Sequence, residues 1–225
     1  MVIMKSRFYT SENIQKKAKS IKTKAESYCP NNDIRFRPGR SALLVIDMQK
    51  IFLEEKYSSF IPSAPAIISL IRQLIEKFSE MKRPVFLTRH INTEDNAGMM
   101  SRWWKSIIVE ENKSSQIIGE LAYSKNIVIK KPQYDAFVES DLESFLTDGN
   151  VTQLVICGVM THLCCETTAR SAFMKGFEVF FTVDGTATYN EQLHRGAIIN
   201  LAHGFAKPVL INEIITEMDS LNAAE

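Results

Sequence analysis

The segment from Gln153 to Gly176 constrains the fold more than any other part of the chain. Its residues 154–157 form a short apolar run rich in β-branched side chains, which is typical of a strand buried on both faces. Gly158 ends this run. Small or apolar residues then recur at i, i+4, i+7 and i+8, at Cys165, Ala169, Ala172 and Phe173. This spacing predicts a helix with one face in the core, ended by Gly176.

Two adjacent cysteines near the start of this helix are predicted to differ. Cys165 falls on the buried stripe, whereas Cys164 is turned about 100° away, within the first helical turn. The positive end of the helix dipole and the free backbone N–H groups there lower a thiol pKa from about 8.5. We therefore expect Cys164 to be a nucleophile with a lowered pKa and Cys165 to be a packing residue. The alternative is a pair of buried structural cysteines.

Strands and helices alternate along the rest of the chain. Apolar runs predict further strands at 42–47, 84–90, 126–131, 177–184 and 208–211. Amphipathic stripes predict helices at 11–28, 63–82, 140–146 and from Asn190 to Gly204, and a helical tail from Asn212. This order predicts a three-layer α/β/α sandwich around a mainly parallel six-stranded sheet. We expect residues 1–40 to form an N-terminal helical extension and 41–225 to form one domain.

The composition argues against several classes of partner. A formal net charge of +1 gives no general field for nucleic acid or a membrane surface. No apolar run approaches the length of a membrane span. We expect no signal peptide, because Lys5 and Arg7 interrupt the first residues, and the chain has four cysteines. We therefore expect a reduced, cytoplasmic protein with free thiols.

Three chemically functional side chains lie where predicted strands end. Asp47 closes the first strand, Lys131 closes the third, and Cys164 follows the fourth. A carboxylate at the end of a buried run is costly unless it has a partner. Carboxyl ends of parallel strands share one edge of a sheet, where open α/β sheets bind their ligands. Lys130 competes for the lysine role, because side chains alternate along a strand and only one of the two can face this edge.

Three separated motifs between about residues 42 and 210 resemble the isochorismatase-like cysteine hydrolases. The nucleophile loop is Gly158-Val-Met-Thr-His-Leu-Cys164, followed by Glu166-Thr-Thr-Ala-Arg170. The other motifs are Leu-Val-Ile-Asp-Met-Gln, ending at Gln49, and Lys-x-x-Tyr-x-Ala-Phe, beginning at Lys131. The resemblance implies the strand order 3-2-1-4-5-6. It also selects Lys131 over Lys130, and it identifies 41–225 as an isochorismatase-like hydrolase domain.

The resemblance implies an Asp-Lys-Cys triad, and the residue types suggest the role of each member. Asp47 takes the thiol proton and passes it to the leaving nitrogen. Lys131 orients Asp47 and holds positive charge near the thiolate. Cys164 attacks a carbonyl carbon and forms a thioester that water hydrolyses. The resemblance also implies an oxyanion hole built from the backbone N–H groups of Met160 and Cys164, with a cis peptide bond between Val159 and Met160.

Candidate substrate-binding residues come from segments around these motifs. Phe52, Trp104, Tyr134 and His162 are predicted to line the pocket, and a hydrogen-bonded loop histidine is the alternative for His162. Arg89, near the end of the second strand, is predicted to bind a substrate carboxylate, with a structural salt bridge as the alternative. Nicotinamidases in the family bind a metal through an Asp-x-His pair and a second histidine. Gln49 stands two residues after Asp47, so we predict no metal and no other cofactor.

These features predict a hydrolase that cleaves an amide-like C–N bond of a small polar molecule. An isochorismatase-type reaction, in which Asp47 acts as general acid on a vinyl ether and no thiol is needed, is the alternative. A non-enzymatic binding protein with this fold would be expected to lack part of the triad, and all three residues are present. We expect a small-molecule substrate, no nucleic acid or membrane partner, and a homo-oligomer, either a dimer or a tetramer.

Overall fold

The computed structural model describes residues 4–30, 33–123 and 125–222 and has the predicted α/β architecture. The strands are β1 (Ser41–Ile46), β2 (Val85–His90), β3 (Ile127–Lys131), β4 (Gln153–Val159), β5 (Glu178–Ala187) and β6 (Lys207–Val209). The α-helices are α1 (Ile14–Glu26), α2 (Lys50–Leu53), α3 (Ile68–Glu80), α4 (Met99–Trp104), α5 (Leu142–Asp148), α6 (Glu166–Met174), α7 (Glu191–Gly204) and α8 (Ile211–Asn222). A π-helical turn, Thr161–Cys165, joins β4 to α6.

The six strands form one parallel sheet in the order β3-β2-β1-β4-β5-β6, which confirms the order implied by the resemblance. β1 and β4 are neighbours in the middle of the sheet, and both are buried along their whole length. The connections from β1 and β4 leave toward opposite edges of the sheet. This change of direction opens a crevice at the carboxyl ends of the two strands, where ligands bind in open α/β sheets.

Gly158 allows β1 and β4 to approach closely beside this crevice. Its φ angle is +111°, a conformation that is favourable only for glycine, and it pairs with Ile46 of β1. A side-chain carbon at this position would overlap the backbone of Ile46. Any other residue at position 158 would therefore push the two central strands apart.

The N-terminal helix packs on the same core as the sheet. The apolar side chains on one face of α1, Ile14, Ala18, Ile21 and Ala25, are buried and belong to the main hydrophobic cluster. The helix predicted at 11–28 is shorter than expected, because α1 ends at Glu26 and Tyr28 is 44% exposed. Among the described helices, none is both long and apolar enough to cross a membrane.

Several helices and strands begin or end a few residues from their predicted boundaries. The helix predicted from residue 63 begins as a 3-10 turn, Ala64–Ile67, with Pro65 in its first positions, and α3 starts at Ile68. β5 continues to Ala187, three residues beyond the predicted end, with all of the added residues buried. Asn190 caps α7 as predicted, because its side-chain oxygen accepts the backbone N–H of Leu193 at 3.0 Å.

Candidate active site

Asp47 lies directly after β1 at the centre of the crevice, and its side chain is fully buried. Its φ angle of +48° is rare for a residue with a side chain, and such backbone conformations cluster at functional sites. Thr88 of β2 donates its hydroxyl to Oδ1 of Asp47 and accepts the backbone N–H of Asp47 at 3.0 Å. Thr88 therefore fixes the orientation of the carboxylate, a role that sequence reasoning missed.

Lys131 is the lysine that faces the crevice. Its Nζ lies 2.8 Å from Oδ2 of Asp47 and donates to the carbonyl of Gln133 at 2.9 Å, and the ion pair is fully buried. Burial alone lowers the pKa of Lys131, but the negative charge of Asp47 and the hydrogen bonds to Asp47 and Cys164 outweigh burial, so the net shift is upward. Lys130 points to the opposite face of the sheet, where it is exposed and pairs with Glu110 at 2.7 Å.

Cys164 lies beside this ion pair, on the π-helical turn after β4. Its thiol interacts with both the Asp47 carboxylate and the Lys131 ammonium. π-helical turns occur frequently at functional sites. The structure therefore brings together the three residues that the motifs selected, from β1, β3 and the segment that follows β4.

The predicted lowering of the Cys164 pKa is wrong. Cys164 is 8% exposed and Cys165 is completely buried, so burial does not separate the two as expected. Burial raises the pKa of the Cys164 thiol to about 12, with Lys131 opposing the shift and Asp47 adding to it. Desolvation outweighs the helix dipole here, and the resting thiol is neutral. A thiolate can therefore form only as the proton moves to a nearby base.

The loop before Cys164 has the backbone conformation implied by the resemblance. The Val159–Met160 peptide bond is cis. The carbonyl of Met160 accepts the backbone N–H groups of Leu163 at 3.1 Å and Cys165 at 3.2 Å, which holds the turn together.

Cys164 opens into a cavity of about 270 Å³, a volume that suits a small metabolite. Three of the predicted pocket residues line it, namely Phe52, Trp104 and Tyr134. The Trp104 Nε1–H donates to the Tyr134 hydroxyl at 2.7 Å, so the two rings form one continuous wall. The α4 segment thus contributes to the pocket through Trp104, as predicted.

Most of the remaining wall was not predicted, because it comes from loops far apart in the sequence. The additional lining residues are Ile51, Ser58, Ser59, His90, Asn92, Met100, Ser106, Ile108, Met160, Leu163 and Tyr189. Burial lowers the pKa of His90 to about 4, and Lys131 adds to this shift. Its Nε2 lies 2.9 Å from Oδ1 of Asn92, so the neutral imidazole carries its proton on Nε2.

Two predicted binding residues do not reach the cavity. The Arg89 guanidinium donates to Ser115 at 2.9 and 3.1 Å and lies 3.6 Å from Glu110. Thr88 and His90 point to the active-site face of β2, and strand alternation turns Arg89 away from it. Arg89 therefore forms a structural salt bridge, which was the alternative to binding a substrate carboxylate. His162 is outside the cavity lining and pairs with Thr188 at 2.7 Å, which matches its loop alternative.

The side chains at the site do not fit a metal ion. Gln49 is fully buried, and its amide donates to the carbonyls of His90 at 3.0 Å and Ser115 at 2.7 Å. Its oxygen accepts the backbone N–H of His90 at 2.8 Å. No group of three His, Cys, Asp or Glu side chains among the described residues is arranged to hold a metal. Gln49 instead joins β1, β2 and the segment around Ser115.

A buried histidine also supports the nucleophile loop. His194 of α7 lies 2.9 Å from the Thr161 hydroxyl through Nδ1 and 3.1 Å from the Tyr9 hydroxyl through Nε2. Burial lowers the pKa of His194 to about 3, so the imidazole is neutral. Thr161 directly follows the cis peptide bond. The N-terminal segment is thus connected to the nucleophile loop through one neutral imidazole.

Because three of its histidines are at least half-buried in the neutral form, we expect the protein to become less stable in mild acid. Burial lowers the pKa values of His90 and His162 to about 4 and that of His194 to about 3, so all three take up protons on unfolding between about pH 4 and 6.5. Asp184, whose pKa burial raises to about 6, releases one proton in the same range. His162 is only half-buried and counts for less, so the net uptake is about one to two protons, and the free energy of unfolding should fall by roughly 1.4 to 2.7 kcal/mol per pH unit below pH 6. Denaturant titrations at pH 5 and 6 measure this; a higher stability at pH 5 would contradict it.

Comparison with known proteins shows the family to which the chain belongs. The family model for the isochorismatase domain matches residues 41–213. Nicotinamidase 3 of Arabidopsis thaliana is 39% identical over 74% of this chain and 82% of its own length. Enterobactin synthase component B of Escherichia coli K12 is 28% identical over 81% of this chain, and the match spans 65% of that protein.

A solved structure has the same fold. The cysteine hydrolase from Pseudomonas syringae pv. phaseolicola superposes with a TM-score of 0.81 at 24% identity, covering 85% of this chain and 98% of that one. The domain match spans all six strands and the three residues at the centre of the crevice. The chain belongs to the isochorismatase family of hydrolases.

Proposed function

We propose that this hydrolase cleaves the C–N bond of a small, uncharged carboxamide through a thioester on Cys164. The observation that carries the proposal is the position of Cys164 between a buried Asp47–Lys131 ion pair and a cavity that accepts a small molecule. Amide hydrolysis needs a strong nucleophile and gains from division into two steps. Vinyl-ether hydrolysis needs only an acid, and a thiol at this position would have no role in it.

The first half-reaction forms the thioester. Sγ of Cys164 attacks the carbonyl carbon while its proton passes to Asp47, and the carbonyl oxygen gains negative charge. The backbone N–H groups of Met160 and Cys164 are proposed to stabilise that charge. The C–N bond then breaks, Asp47 returns the proton to the leaving nitrogen, and the amine or ammonia departs.

The second half-reaction restores the enzyme. Water attacks the thioester carbonyl, and Asp47 accepts a proton from it. The C–S bond breaks, the carboxylic acid is released, and the proton returns to the Cys164 sulfur. Lys131 keeps its proton throughout, since its pKa is raised, and it stabilises the sulfur anion while that charge exists.

The charge of the cavity favours an uncharged substrate. No Arg, Lys, Asp or Glu is among the described residues that line it. The Lys131 charge is already paired with Asp47, and His90 is neutral. Isochorismate carries two carboxylates, and burying them without cationic partners would cost several kcal/mol each. An aromatic carboxamide, by contrast, stacks on Trp104 and Tyr134 and needs only neutral hydrogen-bond partners.

A substrate comparison tests this proposal. We expect kcat/KM for an uncharged aromatic carboxamide, with nicotinamide as the first probe, to exceed that for isochorismate by at least about a hundredfold, or roughly 2.7 kcal/mol. Similarity to an Arabidopsis nicotinamidase supports the choice of probe. Ammonia release measures the first reaction and loss of the isochorismate absorbance the second. Faster turnover of isochorismate would favour the vinyl-ether alternative.

The remaining expectations about the cellular setting stay predictions. A homo-oligomer, either a dimer or a tetramer, is expected, and light scattering of the purified chain measures it. We also expect the protein to be cytoplasmic. We expect its substrate to be a small molecule that binds in the cavity.

A further inference from the structure

The N-terminal segment 4–9 lies against the loops that form one wall of the cavity. Ser6 donates its backbone N–H to the carbonyl of Tyr189 at 2.8 Å, and the Asn190 side chain donates to the carbonyl of Met4 at 3.1 Å. The backbone N–H groups of Phe8 and Tyr9 donate to the Ser63 hydroxyl at 2.9 and 3.1 Å. The segment is therefore attached both to the end of β5 and to the loop that follows α2.

Lys5 lies between these two attachments. Its ammonium donates to the backbone carbonyl of Ser58 and, at 2.8 Å, to that of Phe60. It also lies 4.3 Å from the centre of the Tyr189 ring. Ser58, Ser59 and Tyr189 all line the cavity that Cys164 faces. The Lys5 ammonium thus connects the 58–60 loop to Tyr189, and both line the cavity.

The contacts of Lys5 are with backbone carbonyls and an aromatic ring, which suits a residue that holds two segments together. The salt bridges of the described residues do not include Lys5, and its partners are carbonyl oxygens and an aromatic face. Charge-assisted hydrogen bonds and cation–π contacts are strongest when partly shielded from water, and Lys5 is half-buried. Without them, the 57–60 loop would keep its backbone hydrogen bond from Phe60 to Tyr57 and the side-chain contact of Ser59 with Tyr189, but it would lose the cation that bridges its carbonyls to the Tyr189 ring.

We propose that Lys5 is a positioning residue that fixes Ser58, Ser59 and Tyr189 as a substrate-binding wall. The residue lies outside the 41–213 region that matches the family, so this wall is held by a segment additional to the shared domain. The predicted effect of Lys5 on substrate binding rests on the proposed amide hydrolysis. Its predicted effect on the shape of the cavity is independent of that proposal, because the reactivity of Cys164 can be measured without turnover.

The kinetic test compares Lys5→Met with wild type in the full chain. Because Lys5 is remote from the thiol but supports the wall, we expect KM for nicotinamide to rise about tenfold while kcat stays within about twofold. Lys5→Arg keeps a cation and several donors, and its KM should stay within about threefold of wild type. Lys19→Met, which makes the same change on the exposed face of α1, should have wild-type KM.

A labelling test does not depend on the reaction. Cys164 is alkylated with iodoacetamide and, separately, with the bulkier N-phenyl iodoacetamide, and the ratio of the two rates is measured by mass spectrometry. Loosening the wall should raise the relative rate of the bulky reagent several-fold in Lys5→Met and leave it unchanged in Lys19→Met. A changed ratio with no amide turnover in any variant would support the role of Lys5 while rejecting the proposed function.

Thermal unfolding shows whether each variant is folded, and Lys5→Gln is measured in the same way if Lys5→Met does not fold. Unchanged KM and an unchanged labelling ratio in a folded Lys5 variant would overturn the proposal. An equal rise in KM for Lys19→Met would also overturn it, because the effect would then follow from loss of surface charge.

Discussion

Cys164→Ala is expected to abolish hydrolysis of the carboxamide, with kcat/KM falling by at least about 10⁴-fold. The substitution removes the only proposed nucleophile and changes little else, because the side chain is small and buried. Cys164→Ser should leave at most a trace of activity. A serine hydroxyl is a much weaker nucleophile than a thiol, and it gives up its proton far less readily.

Cys165→Ala is the matched control for this variant. It removes a sulfur atom from the neighbouring, completely buried position without touching the cavity lining. We expect a small loss of stability, about 1 kcal/mol, with kcat/KM within about threefold of wild type. If Cys164→Ala instead hydrolysed isochorismate as fast as wild type, the vinyl-ether alternative would replace the thioester mechanism.

Lys131→Met is expected to remove both activity and much of the stability. It leaves the Asp47 carboxylate buried without its ionic partner, and breaking a buried pair in this way costs about 3–5 kcal/mol. The matched control is Lys130→Met, at the adjacent but exposed position, which should change stability by less than about 0.5 kcal/mol and remain active. Denaturant unfolding and kcat/KM measure the two effects on the same samples.

The double variant Asp47→Asn with Lys131→Met separates stability from catalysis. Removing both charges relieves the unpaired carboxylate, so stability should recover relative to Lys131→Met alone. Activity should stay absent, because no group remains to accept the thiol proton. An active Lys131→Met enzyme would show that the ammonium is dispensable, and the proposed roles of the ion pair would then be wrong.

The sequence predicted the parts of the site that depend on strand ends. Asp47, Lys131 and Cys164 follow buried apolar runs, and parallel strands bring such positions to one edge. Strand alternation allowed only one of Lys130 and Lys131 to face this edge, and the resemblance to the Lys-x-x-Tyr motif selected Lys131, which lies in the buried ion pair while Lys130 is exposed. The positions of these side chains were predictable because they depend on local periodicity, on one geometric rule for the whole sheet and on motifs shared with a known family.

The sequence could not predict features that depend on packing between distant loops. The Cys164 pKa shifts upward because burial outweighs the helix dipole, and burial depends on the complete fold. Tyr189 and Ser58 reach the cavity from segments about 130 residues apart, with no shared motif. Strand alternation along β2 could have shown that Arg89 points away from the cavity, because its neighbours Thr88 and His90 lie on the active-site face.

The most direct test of the central claim is the mass of Cys164 during turnover. The enzyme is mixed with excess carboxamide, quenched in acid within milliseconds, digested and mapped by mass spectrometry. If the thioester forms, the peptide carrying Cys164 gains the mass of the acyl group, and the Asp47→Asn enzyme gains none. Rapid turnover with Cys164 unmodified at every quench time, under conditions in which a synthetic thioester survives the workup, would contradict the thioester mechanism.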